Sequence, residues 1–107
     1  MQHPIEKAIL VGIITPRIRK VIAEDHLAEL QRLAETAGAI VTRTFMQRVQ
    51  AFNPATLIGE GKVSEIQTAR EEDEASLVIF DDDLSGSQGR NLDQRLPGVK
   101  LLDRTGS

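Results

Sequence analysis

From Lys7 to Ile14 the chain reads KAILVGII, a continuous aliphatic run once past its opening lysine. A strand with one face in water alternates apolar and polar residues, whereas an unbroken aliphatic run is the mark of a strand buried on both faces at the centre of a parallel sheet. It is far shorter than the roughly 20 residues needed to span a bilayer. Such a strand requires helices to cover it on two sides, and the sequence supplies them. Ala39 to Met46, AIVTRTFM, is rich in β-branched residues and reads as a second strand. Ser76 to Asp81 and Val99 to Asp103 read as a third and a fourth.

Three helical patterns lie between these strands. Asp25 is the expected N-cap of HLAELQRLAETAG, with Leu27, Leu30, Ala34 and Ala37 at helical spacing and Gly38 at the C-terminal stop. Lys62 to Ala75 places Val63, Ile66 and Ala69 on one face and charges on the other. Ser85 opens a capping box with Gln88, followed by Leu92, Leu96 and the terminating pair Pro97-Gly98. The order β-α-β-α-β-α-β predicts an α/β fold: a four-stranded, mainly parallel sheet of order 2-1-3-4 with helices on both faces. Its 107 residues fit one domain, 1–107.

Composition removes several function classes. With no Cys there is no disulfide, thiolate metal site or cysteine nucleophile. Three Phe and no Trp or Tyr leave no stacking platform for single-stranded nucleic acid, and a net charge of -3 confines any phosphate-binding surface to a local patch. The N-terminal MQHPIEK lacks the basic and apolar regions of a signal peptide, so a cytoplasmic protein is expected.

A 2-1-3-4 sheet places its ligand crevice outside the carboxyl ends of the first and third strands. The bordering loops are Thr15 to Lys20 and Asp81 to Ser85, so Arg17, Arg19 and Lys20 are expected to face the triplet Asp81-Asp82-Asp83. Mutual charge compensation is the plain reading of that juxtaposition. The long connection QRVQAFNPATLIGEG ends in Gly59-Glu60-Gly61-Lys62, where free N–H groups at a helix start attract phosphate. It is not a P-loop, because Thr56 and Val63 stand where that motif needs glycine and Ser/Thr. A nucleotide site would combine Gly59, Gly61 and Lys62 with Asp81 and Asp82 as Mg²⁺ holders; a turn with an N-cap is the alternative. A phosphoacceptor receiver domain is disfavoured, since Gly12-Ile13-Ile14-Thr15 lacks the acidic partners after the first strand and a fifth strand is missing. His3 and His26 have no nucleophile near them in sequence, and no catalytic residue or metal ligand is assigned.

In series, AILVGI (8–13), LAETAGA (33–39), LIGEGKVSEI (57–66), VIFDDDLSGSQGRNLDQRL (78–96) and DRTG (103–106) closely resemble the N-terminal domain of HflX-type translational GTPases. That family usually has proline after the capping serine; Gly86 takes its place here, at a cost of a few tenths to about 1 kcal/mol.

The resemblance implies an N-terminal module of a larger GTP-binding protein, followed by a helical hairpin and by a GTPase domain that holds the P-loop, GTP and Mg²⁺. It implies association with the large ribosomal subunit, through RNA and protein, and ribosome splitting. It also raises ATP binding with weak ATPase or RNA-remodelling activity as the alternative. The fragment itself is expected to carry no cofactor and no GTPase motif, with Gly106-Ser107 a candidate cloning remnant. Arg17, Arg19, Lys20, Arg43, Arg48 and Lys62 are the expected ribosome contacts, and the missing GTPase domain the expected intramolecular partner.

Overall fold

A computed structural model describes residues 5–49 and 53–104. Seven elements follow one another: β1 (Lys7–Ile14), α1 (Lys20–Thr36), β2 (Ile40–Arg48), α2 (Glu60–Asp73), β3 (Leu77–Phe80), α3 (Gly86–Arg95) and β4 (Lys100–Leu102). The strands form one sheet in the order β2-β1-β3-β4, with every pairing parallel. The α/β class, the 2-1-3-4 order and the alternation are as the sequence predicts.

Residues of β1 divide between two cores. Ile9, Val11 and Ile13 pack with Val78 and Phe80 of β3, with Val63, Ile66 and Ala69 of α2, and with Leu92 of α3. Ala8 and Leu10 face the other way, onto Leu27 and Ala34 of α1 together with Leu77 and Ile79. One helix therefore serves one face and two helices the other, which is why β1 carries no polar position between Ala8 and Ile14.

Gly12 lets α1 lie close to this sheet. A Cβ there would stand 2.9 Å from Met46 Sδ and 3.2 Å from Leu27 Cδ2.

Two helix starts differ from the expected ones. α1 begins at Lys20, with Arg19 as its N-cap and no side-chain capping bond, so Asp25 lies inside the helix. The buried series Ala23, Leu27 and Ala34 carries the apolar face a turn further back than its leucines reveal, and tertiary burial of that small alanine outweighs the absence of a capping signal. α2 begins at Glu60 with Gly59 as N-cap, two residues before the expected start at Lys62, which puts Gly61 inside the first turn instead of ahead of it. Its far end stops at Asp73, where Glu74 adopts left-handed backbone (φ 54°, ψ 41°) without a glycine. β2 extends to Arg48, two residues past the expected end, because Ile14 of β1 still pairs with it.

Candidate functional site

The long connection after β2 is built as a tight turn. Asn53 Oδ1 accepts the N–H groups of Ala55 (2.8 Å) and Thr56 (3.2 Å), and Asn53 and Leu57 exchange backbone bonds at 3.1 and 2.8 Å. Leu57 takes positive φ (72°) so that its side chain, with Thr56 and Ile58, enters the core. Thr56, at the position where a P-loop would have its first glycine, is fully buried and donates to Ile58 O. The start of α3 pins this turn from outside: Gln88 Nε2 donates to Asn53 O at 3.1 Å, and Asn91 Nδ2 to Ala55 O at 3.0 Å. Residues 50–52 of the connection lie outside the described residues, as do His3, Gly106 and Ser107.

At the start of α2, Gly59 and Gly61 are exposed, with open space where a Cβ would lie. The charged groups of that turn are engaged. Lys62 Nζ lies 2.6 Å from Glu65 and 5.3 Å from the centre of the Phe45 ring, and Glu60 meets Arg95 of α3 at 2.7 Å. The acidic triplet at the end of β3 is likewise occupied by local structure. Arg104 donates to Asp81 O at 2.7 Å and lies 3.4 Å from its carboxylate, and Arg104 N bonds Asp82 O at 3.1 Å. Asp82 Oδ1 accepts the N–H of Asp83 at 2.7 Å. Buried Asp103 then accepts the N–H of Leu84 at 2.9 Å, just before the capping box that Ser85 and Gln88 complete. No hydrogen bond or ion pair among the described residues joins Gly59, Gly61 or Lys62 to Asp81 or Asp82. The expected meeting of the triplet with Arg17, Arg19 and Lys20 does not occur as an ion pair: Arg104, from the strand-four side, takes the place those residues were expected to fill. Arg104 carried no local signal in the sequence, because its partner is 23 residues earlier and adjacent only through the β3–β4 pairing.

The six basic candidates separate into two groups. Arg43, on β2, is held by Asp73 and Glu72 of α2, and Lys62 by Glu65. Arg43 and Asp73 form a forked pair, with Nη2 to Oδ1 at 2.8 Å and Nε to Oδ2 at 3.1 Å. Thr42 Oγ1 donates to the same Oδ2 at 2.9 Å. That hydroxyl, and then the guanidinium, hold the Asp73 carboxyl below the usual carboxylate range against the opposing effect of burial. Arg17, Arg19, Lys20 and Arg48 are exposed, and none makes an ion pair among the described residues. They share one edge of the molecule. Arg48 ends β2 opposite Ile14, the last residue of β1, and Arg17 to Lys20 lead from Ile14 into α1. The uncapped start of α1, with no acidic residue in its first turn, adds the positive end of its dipole to the same edge.

Fold and site together define a small α/β crossover domain with a basic carboxyl edge on β1 and β2. The family model for the GTP-binding GTPase N-terminal region matches residues 24–106, and the chain belongs to that family. It is 39% identical over 100 residues to a GTPase HflX of Flavobacterium psychrophilum, covering 94% of this chain and 24% of the relative. For a GTPase HflX of Caldanaerobacter subterraneus the identity is 44% over 100 residues, covering 94% and 22%. For that of Escherichia coli it is 36% over 101 residues, covering 94% and 23%. The chain thus spans about a quarter of the length of these relatives. The fold is also that of an SsGBP–GDP complex, with a TM-score of 0.71, 21% identity, and coverage of 94% of this chain and 26% of the other. A GTP-binding protein from Sulfolobus solfataricus, in complex with GDP, gives a TM-score of 0.67 at 21% identity over 94% and 28% of the two chains. Among the described residues no helix is long and apolar enough to cross a membrane, and no cluster of three acidic or His side chains is arranged to hold a metal ion.

Proposed function

We propose that this domain is the docking module of an HflX-type GTPase, and that it holds the protein on the large ribosomal subunit in the cytoplasm while GTP and Mg²⁺ are handled by the GTPase domain. The contact surface is the edge formed by Arg17, Arg19, Lys20 and Arg48, directed at ribosomal RNA phosphates. One observation carries this reading. In a chain of net charge -3, the cations elsewhere that were candidates are neutralised by their own carboxylates, while these four stand together without one. Phosphate contacts of this kind give affinity without base reading and weaken steeply with salt.

Co-sedimentation with purified large subunits at low and moderate salt tests it. Replacing all four residues by alanine is expected to lower the bound fraction at least about tenfold and to flatten the log–log salt dependence by about one unit per lost phosphate contact. Replacing Arg43 and Lys62 instead is expected to change binding little. Equal pelleting of the wild type and the four-residue variant would remove the edge from consideration. A bare glycine N-cap on α2 favours one second reading, ATP bound at Gly59, Gly61 and Lys62 with Asp81 and Asp82 on its Mg²⁺. Calorimetry with millimolar ATP and Mg²⁺ separates the two: saturable heat abolished by Lys62→Ala supports the nucleotide site, and none leaves the docking edge alone.

A further inference from the structure

The sheet is covered unequally. α2 and α3 together close one face of the sheet, whereas α1 alone lies on the other, over β1 and β2. Beside α1, over β3 and β4, runs an open groove of about 720 Å³ lined by Leu30, Leu33, Ala34, Leu77, Ile79 and Leu102. Leu33 is 59% exposed there, in the last turn of a helix whose Ala23, Leu27 and Ala34 are buried. An apolar groove flanked by a protruding leucine marks a surface shaped for another apolar element.

We infer that this groove is the seat of the polypeptide that follows β4 in the full-length protein, which returns across the sheet as a helix beside α1. Three observations select that occupant. The matched relatives extend far beyond the region this chain covers, 24% of one and 22% of another, and the matching family model is that of an N-terminal region. The backbone leaves β4 at the carboxyl edge, where Arg104 N is bonded to Asp82 O, so a segment turning back from there runs antiparallel to the strands, as α2 and α3 already do. Of the two ways back past β4, the one beside α3 sets Arg90, Asp93 and Lys100 among its apolar residues, whereas the one beside α1 is mostly leucine, isoleucine and alanine, with Glu6 and Asp103 as its charged residues. A helix with one apolar stripe fits the second and would leave buried charge in the first. It would give each face of the sheet two helices.

Hydrogen exchange on the 107-residue chain and on the full-length protein tests this. In the full-length protein the amides of 27–37 and 77–80 are expected to exchange at least about tenfold more slowly than in the shorter chain. Leu33→Asp should remove that extra protection while leaving the thermal midpoint of the shorter chain unchanged. Val21→Asp, at an exposed position of the same helix outside the groove, should do neither. Equal exchange in both proteins would overturn the inference, and so would extra protection that survives Leu33→Asp. Protection in the shorter chain that grows with concentration, with sedimentation as a dimer, would assign the groove to a second copy and overturn it as well.

Discussion

Arg43 grips Asp73 through two parallel hydrogen bonds of 2.8 and 3.1 Å that tie the edge strand β2 to the last turn of α2. The pair engages Arg43 within the domain and makes the domain sensitive to acid. Asp73 titrates lower in the folded chain than in the unfolded one, so the unfolded state takes up the proton first and stability falls with pH. The contribution is complete above the ordinary aspartate value of about 3.9 and disappears as pH drops through the depressed one. Urea midpoints of wild type and Asp73→Asn should therefore differ at pH 7 and converge below about pH 3.9. A constant gap down to low pH would show that the lost contact is not electrostatic.

Gly86 stands at the first helical position of α3, behind a serine whose backbone (φ -68°, ψ 164°) is already that preferred before proline. Its N–H makes no hydrogen bond among the described residues, and a Cβ would only touch Arg90 at 3.5 Å. Gly86→Pro is accordingly expected to stabilise the domain by about 0.4–1 kcal/mol, chiefly by restricting the unfolded chain. Chemical denaturation with an unchanged m-value is the check.

At Gly12 the expectation is the reverse. An added methyl group would press on Met46 and Leu27 where α1 lies on β1 and β2, so Gly12→Ala should cost about 1–3 kcal/mol. Because the nearest atom is the sulfur of a flexible side chain, shortening Met46 should recover part of the loss. In a double-mutant cycle with Met46→Ala the two changes should cost less together than their sum. Strict additivity would place the strain elsewhere.

These cases show what the sequence made legible and what it did not. The aliphatic run of β1, the β-α alternation, the Ser85–Gln88 capping box and the glycine stops are local signals, and the 2-1-3-4 sheet follows from them. The start of α1 was hidden because Ala23 looks like a loop residue until burial gives it a face. The site was less legible, since whether a cation is available depends on partners far away in the chain: 30 residues separate Arg43 from Asp73, and 23 separate Arg104 from Asp81. Six basic residues of equal standing in the sequence became four only after folding had assigned carboxylates to Arg43 and Lys62.

Gln88 works at two places, and its amide can be separated from its carbonyl. Its Oε1 accepts the Ser85 N–H at 2.9 Å to complete the capping box, while its Nε2 donates to Asn53 O at 3.1 Å to hold the turn before α2. Glutamate keeps the acceptor and suits the helix N-terminus, but it turns an oxygen toward the Asn53 carbonyl. Gln88→Glu should therefore destabilise by about 1 kcal/mol while leaving the start of α3 formed. Hydrogen exchange should show the Leu57 amide, which bonds Asn53 O, exchanging faster, with the Gly89 amide, bonded to Ser85 O, unchanged. Faster exchange at both would mean that the cap and the turn open as one unit, and no change at either would mean that the Gln88–Asn53 bond contributes nothing to holding the loop.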